Sequence, residues 1–157
     1  MKILLLVIGK TDEHYLAEGI HKYCTRLKHY IGFDFEEIPD LKNRKSLSES
    51  QQKKQEGVFI ISKLKAGDKL ILLDDKGKDF SSIGFSKHLQ QQMNSGVKRL
   101  VFVVGGPYGF DDSVYAKAQA KLSLSKMTFS HQMIRLFFVE QVYRALTILK
   151  NEPYHHE

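Results

Sequence analysis

Two glycine-containing segments have the composition of ligand-binding loops. One reads Leu-Asp-Asp-Lys-Gly-Lys at residues 73–78, and the other reads Gly-Gly-Pro-Tyr-Gly at residues 105–109. Glycine reaches backbone angles that other residues avoid, and it lets a ligand approach the main chain closely. Tight turns use glycine for the same reason, so the position of these segments in the fold must decide between the two interpretations.

The spacing of the glycines argues against a dinucleotide site. A Rossmann fingerprint places Gly-x-Gly-x-x-Gly after the first strand, where this chain has only Gly9. At residues 105–109 the spacing is Gly-Gly-x-x-Gly, and Pro107 removes a backbone N–H donor that a phosphate would need. The segment therefore favours a neutral or cationic ligand over a phosphate.

Acid–base chemistry has candidates in the C-terminal third of the chain. His131, Tyr154 and His155 could each move a proton, and Arg144 would favour an anion electrostatically. Structural roles compete with these functions, because Glu140 and Arg144 are four residues apart on one predicted helix and can simply pair. His131 can equally cap that helix. Spacing alone leaves the base unassigned.

No sequence pattern predicts a metal centre. The chain has a single cysteine, Cys24, and lacks the Cys and His spacing of a zinc site. His14, Glu18 and His21 share one face of a predicted helix, but such a face is far more often solvated than metal-binding. We therefore expect a metal-free protein, with Cys24 packed among apolar helix positions.

The elements that position these residues alternate between strand and helix. Short apolar runs bounded by turn residues predict the strands. They are Lys2–Ile8, Phe33–Ile38, Lys69–Asp74, Arg99–Val104 and Lys121–Ser125. This alternation predicts one α/β domain over residues 1–157, with a mostly parallel sheet and helices on both faces. Ligands bind beyond the carboxyl ends of parallel strands, which is where both glycine segments fall.

Helix boundaries are predicted from residues that commonly cap helices. The first helix is capped by Thr11 and ends near Tyr30, and the second runs from a Ser46–Glu49 capping box to about Leu64. The third begins at Ser81 or Ser82 and ends at Gly96, and a short fourth helix begins at Asp111 or Asp112. The last helix spans His131 to Leu149. The last helix is apolar around most of its circumference, which is more than one face of a small domain can absorb. A homodimer interface would cover the excess.

The chain is basic, with a net charge of +6 and a pI near 9.3. This charge favours an anionic partner, of which nucleic acid is the commonest large one. Basic residues gather at Lys42–Lys45 and Lys53–Lys54, where they could contact phosphates or form ordinary solvated surface. Residues 1–10 are too few to span a bilayer and lack the features of a cleaved signal, so a cytoplasmic protein without membrane association is expected.

Three segments together resemble one known family. They read Leu-Leu-Asp-Asp-Lys-Gly-Lys at 72–78, Val-Gly-Gly-Pro-Tyr-Gly at 104–109, and Leu-Ser-Leu-Ser-Lys-Met-Thr-Phe-Ser-His at 122–131. Glu-Gln-Val-Tyr-Arg-Ala at 140–145 and Asn-Glu-Pro-Tyr-His at 151–155 extend the likeness. The chain is similar along its whole length to the ribosomal RNA large subunit methyltransferase H family, of the SPOUT superfamily.

The resemblance implies a C-terminal trefoil knot, with S-adenosylmethionine bent among the loops of the knot. It maps donor binding onto Leu73, Gly105, Gly106, Leu124, Ser125, Lys126, Met127, Thr128 and Phe129. The implied reaction methylates N3 of a pseudouridine in the helix 69 loop of 23S rRNA, on the assembled ribosome. Methyl transfer of this kind needs neither a metal nor a covalent enzyme intermediate, so positioning of donor and acceptor should dominate.

The same resemblance gives the C-terminal tail a role. Because N3 of the acceptor is a weak acid, a base or an electrostatic partner should assist, and the candidates are His131, Arg144, Tyr154 and His155. Pro153 ends any helix before it, so the tail Pro153–Glu157 is expected to lie across a neighbouring surface and serve the acceptor nucleotide. Two alternatives stay open: a non-enzymatic ribosome-associated RNA-binding factor, and an α/β enzyme that uses another nucleotide such as NAD.

Overall fold

A five-stranded parallel sheet in the order β2-β1-β4-β3-β5 organises the part of the chain, residues 1–156, that the computed structural model describes. Every neighbouring pair of strands is parallel. The strands are β1 (Lys2–Ile8), β2 (Gly32–Ile38), β3 (Asp68–Asp79), β4 (Arg99–Val104) and β5 (Ala120–Ser123). The α/β class and the parallel sheet predicted from the sequence are confirmed.

Helices cover both faces of the sheet. They are α1 (His14–Leu27), α2 (Glu49–Ser62), α3 (Ser82–Asn94), α4 (Asp112–Lys117) and α5 (Met133–Leu149), with a short 3-10 turn at Arg44–Ser46. Side chains of β1 alternate between two cores: Ile3 joins the core under α1, α3 and α5, whereas Leu4 joins the core under α2 and α4. Burial on both faces explains why β1 is a continuous apolar run.

The predicted cap at Thr11 is wrong. Helix α1 begins at His14 after Glu13, and Thr11 has other partners. Its backbone N–H donates to a Glu37 carboxylate oxygen at 3.0 Å, and its hydroxyl oxygen accepts from Arg135 at 3.1 Å. Thr11 therefore joins the first strand–helix connection to β2 and α5, and the helix starts later.

The predicted capping box at Ser46 and Glu49 is also displaced. A 3-10 turn follows Asn43, whose φ of 58° is left-handed, and the Ser46 hydroxyl donates to the Asn43 carbonyl within that turn. The capping box that forms pairs Ser48 with Gln51, two residues further on. At the remaining helix starts, Ser81 and Asp111 are the capping residues among the predicted alternatives.

Strand β3 is longer than predicted. The sequence predicted its end at Asp74, but it continues to Asp79 and pairs with β5 on both sides of an irregularity between Leu73 and Lys78. A Cβ atom at Gly77 would lie 2.5 Å from the backbone of Leu122, so only glycine permits this close approach. Residues 74–77 therefore bulge from a strand that resumes beyond them.

Helix α5 packs between α1 and α3 at the centre of one sheet face. Its apolar residues are mostly absorbed there: Phe138 lies with its ring centroid 4.7 Å from that of Phe102, and Val139 and Val142 are fully buried. The premise that a small domain lacks room for such a helix is therefore wrong, and only Phe137, at 42% exposure, remains a large exposed apolar side chain of the helix. Neither α5 nor any other helix within residues 1–156 is long and apolar enough to cross a membrane.

Candidate active site

A cavity of about 540 Å³ opens at the carboxyl ends of β3, β4 and β5. Its walls come from residues 73–76, from 104–110 with Tyr115 of α4, and from 122–125 and 127–131 with Ile134 of α5. This is the edge at which parallel sheets bind ligands, and the volume is that of a small-molecule site. The fold thus brings together the three segments that the sequence singled out.

The glycine-rich wall is shaped by the side chains behind it. A Cβ atom at Gly105 would lie 3.1 Å from the Phe110 ring, and one at Gly106 would lie 2.7 Å from a carboxylate oxygen of Glu56. Gly109 has a φ of +81°, and its N–H donates to the Gly106 carbonyl at 3.1 Å. The loop is therefore a tight turn whose packed back leaves its other side free to line the cavity.

The negatively charged side chain of Asp74 lies at the rim of the cavity. The Tyr115 hydroxyl donates to one carboxylate oxygen of Asp74 at 2.6 Å, and the Lys76 N–H donates to the other at 2.8 Å. Partial burial opposes ionisation, but these hydrogen bonds hold the pKa of Asp74 below its usual range. Asp74 can therefore accept hydrogen bonds from ligand hydroxyl groups at neutral pH.

The segment from Leu124 to His131 forms the outer wall. The Met127 N–H donates to the Ser125 hydroxyl at 2.9 Å, and the Phe129 ring lies 4.9 Å from that of Phe137 on α5. The cavity is lined by eight of the nine residues predicted to bind a donor: Leu73, Gly105, Gly106, Leu124, Ser125, Met127, Thr128 and Phe129. The ninth, Lys126, is exposed and outside the lining.

His131 lines the same cavity. Burial and the nearby positive charge of Arg135 lower its pKa, so the imidazole is neutral at neutral pH and could accept a proton. His131 does not cap α5, which begins at Met133; its carbonyl instead accepts from the Arg135 guanidinium at 3.1 Å.

Arg135 positions one wall of the cavity, a role that the sequence did not predict. The side chain is fully buried and donates to the Ile8 carbonyl at 2.6 Å and to the Gly9 carbonyl at 3.0 Å. These bonds hold the start of α5, and with it the outer wall of the cavity, against the end of β1. The sequence offered one signal of this role, an arginine among the apolar residues of a predicted helix. An arginine at such a position is buried only when it has hydrogen-bonding or charged partners.

Arg144, Tyr154 and His155 form a second cluster with Glu140 and Tyr23. Arg144 forms an ion pair with Glu140 at 2.5 Å, as its spacing suggested. The Tyr154 hydroxyl contacts Glu140 at 2.9 Å and the Tyr23 hydroxyl at 3.1 Å, while the Arg144 guanidinium carbon lies 4.7 Å from the Tyr154 ring centroid. The His155 ring nitrogen lies 3.4 Å from Arg144.

Two members of this tail cluster, Tyr154 and Arg144, have raised pKa values. Burial, the Tyr23 hydrogen bond and the Glu140 carboxylate raise the pKa of Tyr154, so its phenol stays protonated at neutral pH. The hydrogen bond to Glu140 likewise raises the pKa of Arg144. Glu157, the last residue of the predicted tail, lies outside the described residues.

The cavity and the tail cluster are separate within one chain. None of Arg144, Tyr154 and His155 lines the cavity. Arg144 lies about 16 Å along α5 from Met133 at about 1.5 Å per residue, whereas His131 lies beyond the other end of that helix. One chain therefore places His131 at the cavity and the other three predicted catalytic residues away from it.

Comparison with known proteins identifies the family of the chain. Residues 1–155 match a family model described as predicted SPOUT methyltransferase. The chain is 65% identical to ribosomal RNA large subunit methyltransferase H of Flavobacterium johnsoniae and 63% identical to that of Parabacteroides distasonis, in each case over 157 residues and 100% of both chains. The Porphyromonas gingivalis protein of the same name is 54% identical over the same length. The chain belongs to the ribosomal RNA large subunit methyltransferase H family of SPOUT methyltransferases.

Proposed function

We propose that this protein methylates N3 of a pseudouridine in the helix 69 loop of 23S rRNA, with S-adenosylmethionine as methyl donor. The observation that carries the proposal is that the Asp74 segment, the glycine-rich loop and residues 122–125 and 127–131 line one cavity. When bound, S-adenosylmethionine supplies a methyl group on a positively charged sulfur, which a nucleophile takes in one in-line displacement.

The cavity fits such a donor. Its lining mixes polar and apolar groups, with Leu73, Leu124 and Phe129 available to pack against a purine, and Asp74 at the rim available to ribose hydroxyl groups. Pro107 denies the loop a backbone donor that a phosphate nest would use. The negative charge of Asp74 also suits a cationic ligand, so the residues present favour a sulfonium compound over a nucleotide phosphate.

The tail cluster has the chemistry of an acceptor site. The Tyr154 ring can stack on a splayed base, and Arg144 can stabilise the anion that forms as N3 loses its proton. Because its phenol is held protonated, Tyr154 acts as a hydrogen-bond donor in this proposal. His131 and His155 are the candidates for the base.

A homodimer would join the two sites. Since one chain separates the cavity from the tail cluster, a two-fold arrangement that brings the tail of one protomer to the cavity of its partner would complete the site. The exposed Phe137 and Phe129 rings, in contact with each other beside the cavity, offer an apolar surface for this interface.

The proposal includes a trefoil knot. Strand β5 lies at one edge of the sheet, yet α5 packs at its centre, so residues 124–132 must cross the carboxyl edge past the glycine-rich loop. At the end of this crossing, the Gln132 side chain donates to the Lys10 carbonyl and accepts from the Asp12 N–H, both at 3.0 Å. A crossing in this place supports the proposed knot, in which the chain passes through a loop formed by its own earlier residues.

The substrate is proposed to be the assembled ribosome in the cytoplasm. A domain of 157 residues offers little surface for reading RNA on its own, so the ribosome must help to position the acceptor nucleotide. Assembled ribosomes should therefore be methylated much faster than protein-free 23S rRNA.

Calorimetric titration and rRNA analysis test the function. The protein should bind S-adenosylmethionine but not NAD, and a chelator should not change the affinity. Gly105→Val should abolish binding, because its side chain would enter the space of the Phe110 ring and displace the loop. Mass analysis of rRNA from cells lacking the gene should show one missing methyl group, restored by the purified protein. An unchanged rRNA mass would refute the proposed reaction.

A further inference from the structure

A second cavity, also about 540 Å³, lies where the C-terminal ends of α1 and α5 meet. It is remote from the first, because both helix ends point away from the carboxyl edge of the sheet. Its lining residues are mostly basic or aromatic: Arg26, His29, Tyr30, Tyr143, Lys150 and Glu152. Nothing in the proposed chemistry so far uses this basic–aromatic cavity.

Tyrosine rings, rather than carboxylates, position its cations. The Arg26 guanidinium carbon lies 5.5 Å from the Tyr143 ring centroid, and the Lys150 ammonium lies 4.6 Å from that of Tyr30. Within residues 1–156 neither cation forms an ion pair with a carboxylate. The acid of the cavity, Glu152, instead accepts a hydrogen bond from the Tyr30 hydroxyl. Two pre-positioned positive charges are thus left for an external anion.

The basic–aromatic cavity is continuous with the tail cluster. The Tyr143 ring lies between the two, with its centroid 4.8 Å from that of Tyr154 in an edge-on contact. Tyr23, whose hydroxyl contacts Tyr154, also lies under Arg26, with 5.7 Å between its ring centroid and the guanidinium carbon. An anion held by Arg26 would therefore lie next to whatever Tyr154 contacts.

We propose that the basic–aromatic cavity binds the backbone of the RNA substrate, holding a phosphate of a nucleotide that flanks the acceptor. This inference rests on the proposed function, since the acceptor is placed at the tail cluster. Arg26 and Lys150 supply the charges for the phosphate, and the Tyr30 and Tyr143 rings supply faces or edges for a sugar or an unstacked base. Charge and ring stacking carry little base information, so this contact positions the RNA without selecting its sequence.

A contact of this kind has a specific kinetic signature. A phosphate contact strengthens RNA binding in a salt-dependent way, because counterions leave the RNA when the protein cation arrives. Its loss should raise the KM for ribosomes and flatten the salt dependence of that KM. It should leave donor affinity unchanged, because neither Arg26 nor Lys150 is among the residues that line the donor cavity.

The test compares Arg26→Gln/Lys150→Gln with a matched control, Lys22→Gln/Lys87→Gln. The control removes the same charge from exposed positions on α1 and α3 that contact neither cavity. The first pair should raise the KM for ribosomes about tenfold and reduce the slope of log KM against log salt by about 1, whereas the control should change neither. Lys150→Gln alone should give part of the effect, and since Lys150 is exposed this variant leaves the packing intact.

Three outcomes would overturn the inference. The first is that Arg26→Gln/Lys150→Gln has the same KM and salt slope as the control. The second is that this double variant loses donor affinity in calorimetry. The third is that a lower melting temperature accounts for the lost activity of both the double variant and Lys150→Gln. If the unmodified protein does not methylate ribosomes, the proposed function fails separately. In that case, fluorescence anisotropy with a single-stranded RNA of about ten nucleotides still decides whether the cavity binds RNA, because Arg26→Gln/Lys150→Gln must weaken binding more than the control.

Discussion

The carboxyl group of Glu56 on α2 lies directly behind the backbone of Gly106. Its two oxygens would be 2.7 and 2.9 Å from a Cβ atom at position 106, and one of them accepts a hydrogen bond from Gln52 at 3.0 Å. Glu56 is only 5% exposed. The glycine-rich wall of the cavity therefore rests on a buried acid, which links α2 to the proposed donor site.

Gly106→Ala should weaken donor binding by about tenfold or more. The new methyl group would meet the Glu56 carboxyl, which is buried and cannot swing into solvent, so the loop must shift into the cavity. Calorimetry with S-adenosylmethionine measures the loss. The double variant Gly106→Ala/Glu56→Ala should recover part of the affinity, because it removes the obstructing carboxyl. Equal affinity of Gly106→Ala and the unmodified protein would contradict the contact.

Glu56→Gln should change how stability depends on pH. Burial raises the pKa of Glu56 above its ordinary 4.5, more than Gln52 and Arg44 lower it, with Asp40 adding to the rise. Above pH 4.5 the unfolded chain loses this proton while the folded chain keeps it, so the folded state is destabilised as pH rises through the raised pKa. Glutamine does not titrate, so the variant should gain stability relative to the unmodified protein between acidic and neutral pH. Urea unfolding across this range measures the difference, and parallel curves would rule out a raised pKa.

Arg135→Met should destabilise the protein by about 3 kcal/mol or more. The side chain is buried, and its loss would leave the Ile8 and Gly9 carbonyls without their donors. Arg135→Lys keeps the charge but offers fewer donors in a different geometry, so an intermediate loss is expected. Chemical denaturation gives both values. A change below 1 kcal/mol in Arg135→Met, well short of about 3 kcal/mol, would show that other contacts hold α5 on β1.

Removal of Tyr154–Glu157 should lower methyl transfer by at least about a hundredfold, the scale of losing an acid–base group. Donor binding should be unaffected, because none of the described tail residues lines the cavity. Single-turnover assays and calorimetry separate the two quantities. Full activity would assign the tail no catalytic role, and a loss of donor binding would move it into the donor site.

Two inactive variants should restore activity when mixed. If the site is shared between protomers, a dimer of one Gly105→Val chain and one tail-truncated chain contains one site with an intact cavity and an intact tail. Light scattering should first show about twice 18.1 kDa for each protein. Activity should then appear after the two are unfolded and refolded together, but not after either is refolded alone. No recovery in a mixture that forms mixed dimers would place each complete site within one chain.

Strands that are covered by helices on both faces of the sheet were the easiest to predict. The bounds of β1 and β4 agree with the sequence prediction, because an uninterrupted apolar run marks where coverage by helices starts and stops. The extension of β3 beyond Asp74 could not be predicted, since polar residues there pair with β5 across an irregularity. Pairing of that kind depends on the partner strand and leaves no periodic signal in the strand itself.

The segments that line the candidate site could be predicted from the topology and the motifs. The parallel-sheet rule placed the Leu73 and Gly105 segments at one edge, and the family resemblance added residues 124–129. Glu56 could not be found in this way, because α2 is polar along most of its length and shows no apolar face that would mark one of its acids as buried. Most of the apolar surface of α5 packs against α1 and α3 in the same chain, which the pattern of the helix alone could not distinguish from contact with a partner.

The position of α5 has a consequence for biosynthesis. Residues before 124 supply all five strands, but without α5 the groove between α1 and α3 exposes the apolar core, and the cavity lacks its outer wall. A nascent chain that has emerged only this far therefore exposes apolar surface to chaperones and proteases, and it lacks part of the proposed donor site. The apolar core is covered and the proposed donor site is completed in the same step, when Arg135 reaches the end of β1. Truncated products of this gene should therefore be degraded and should not accumulate as inactive fragments that bind the donor.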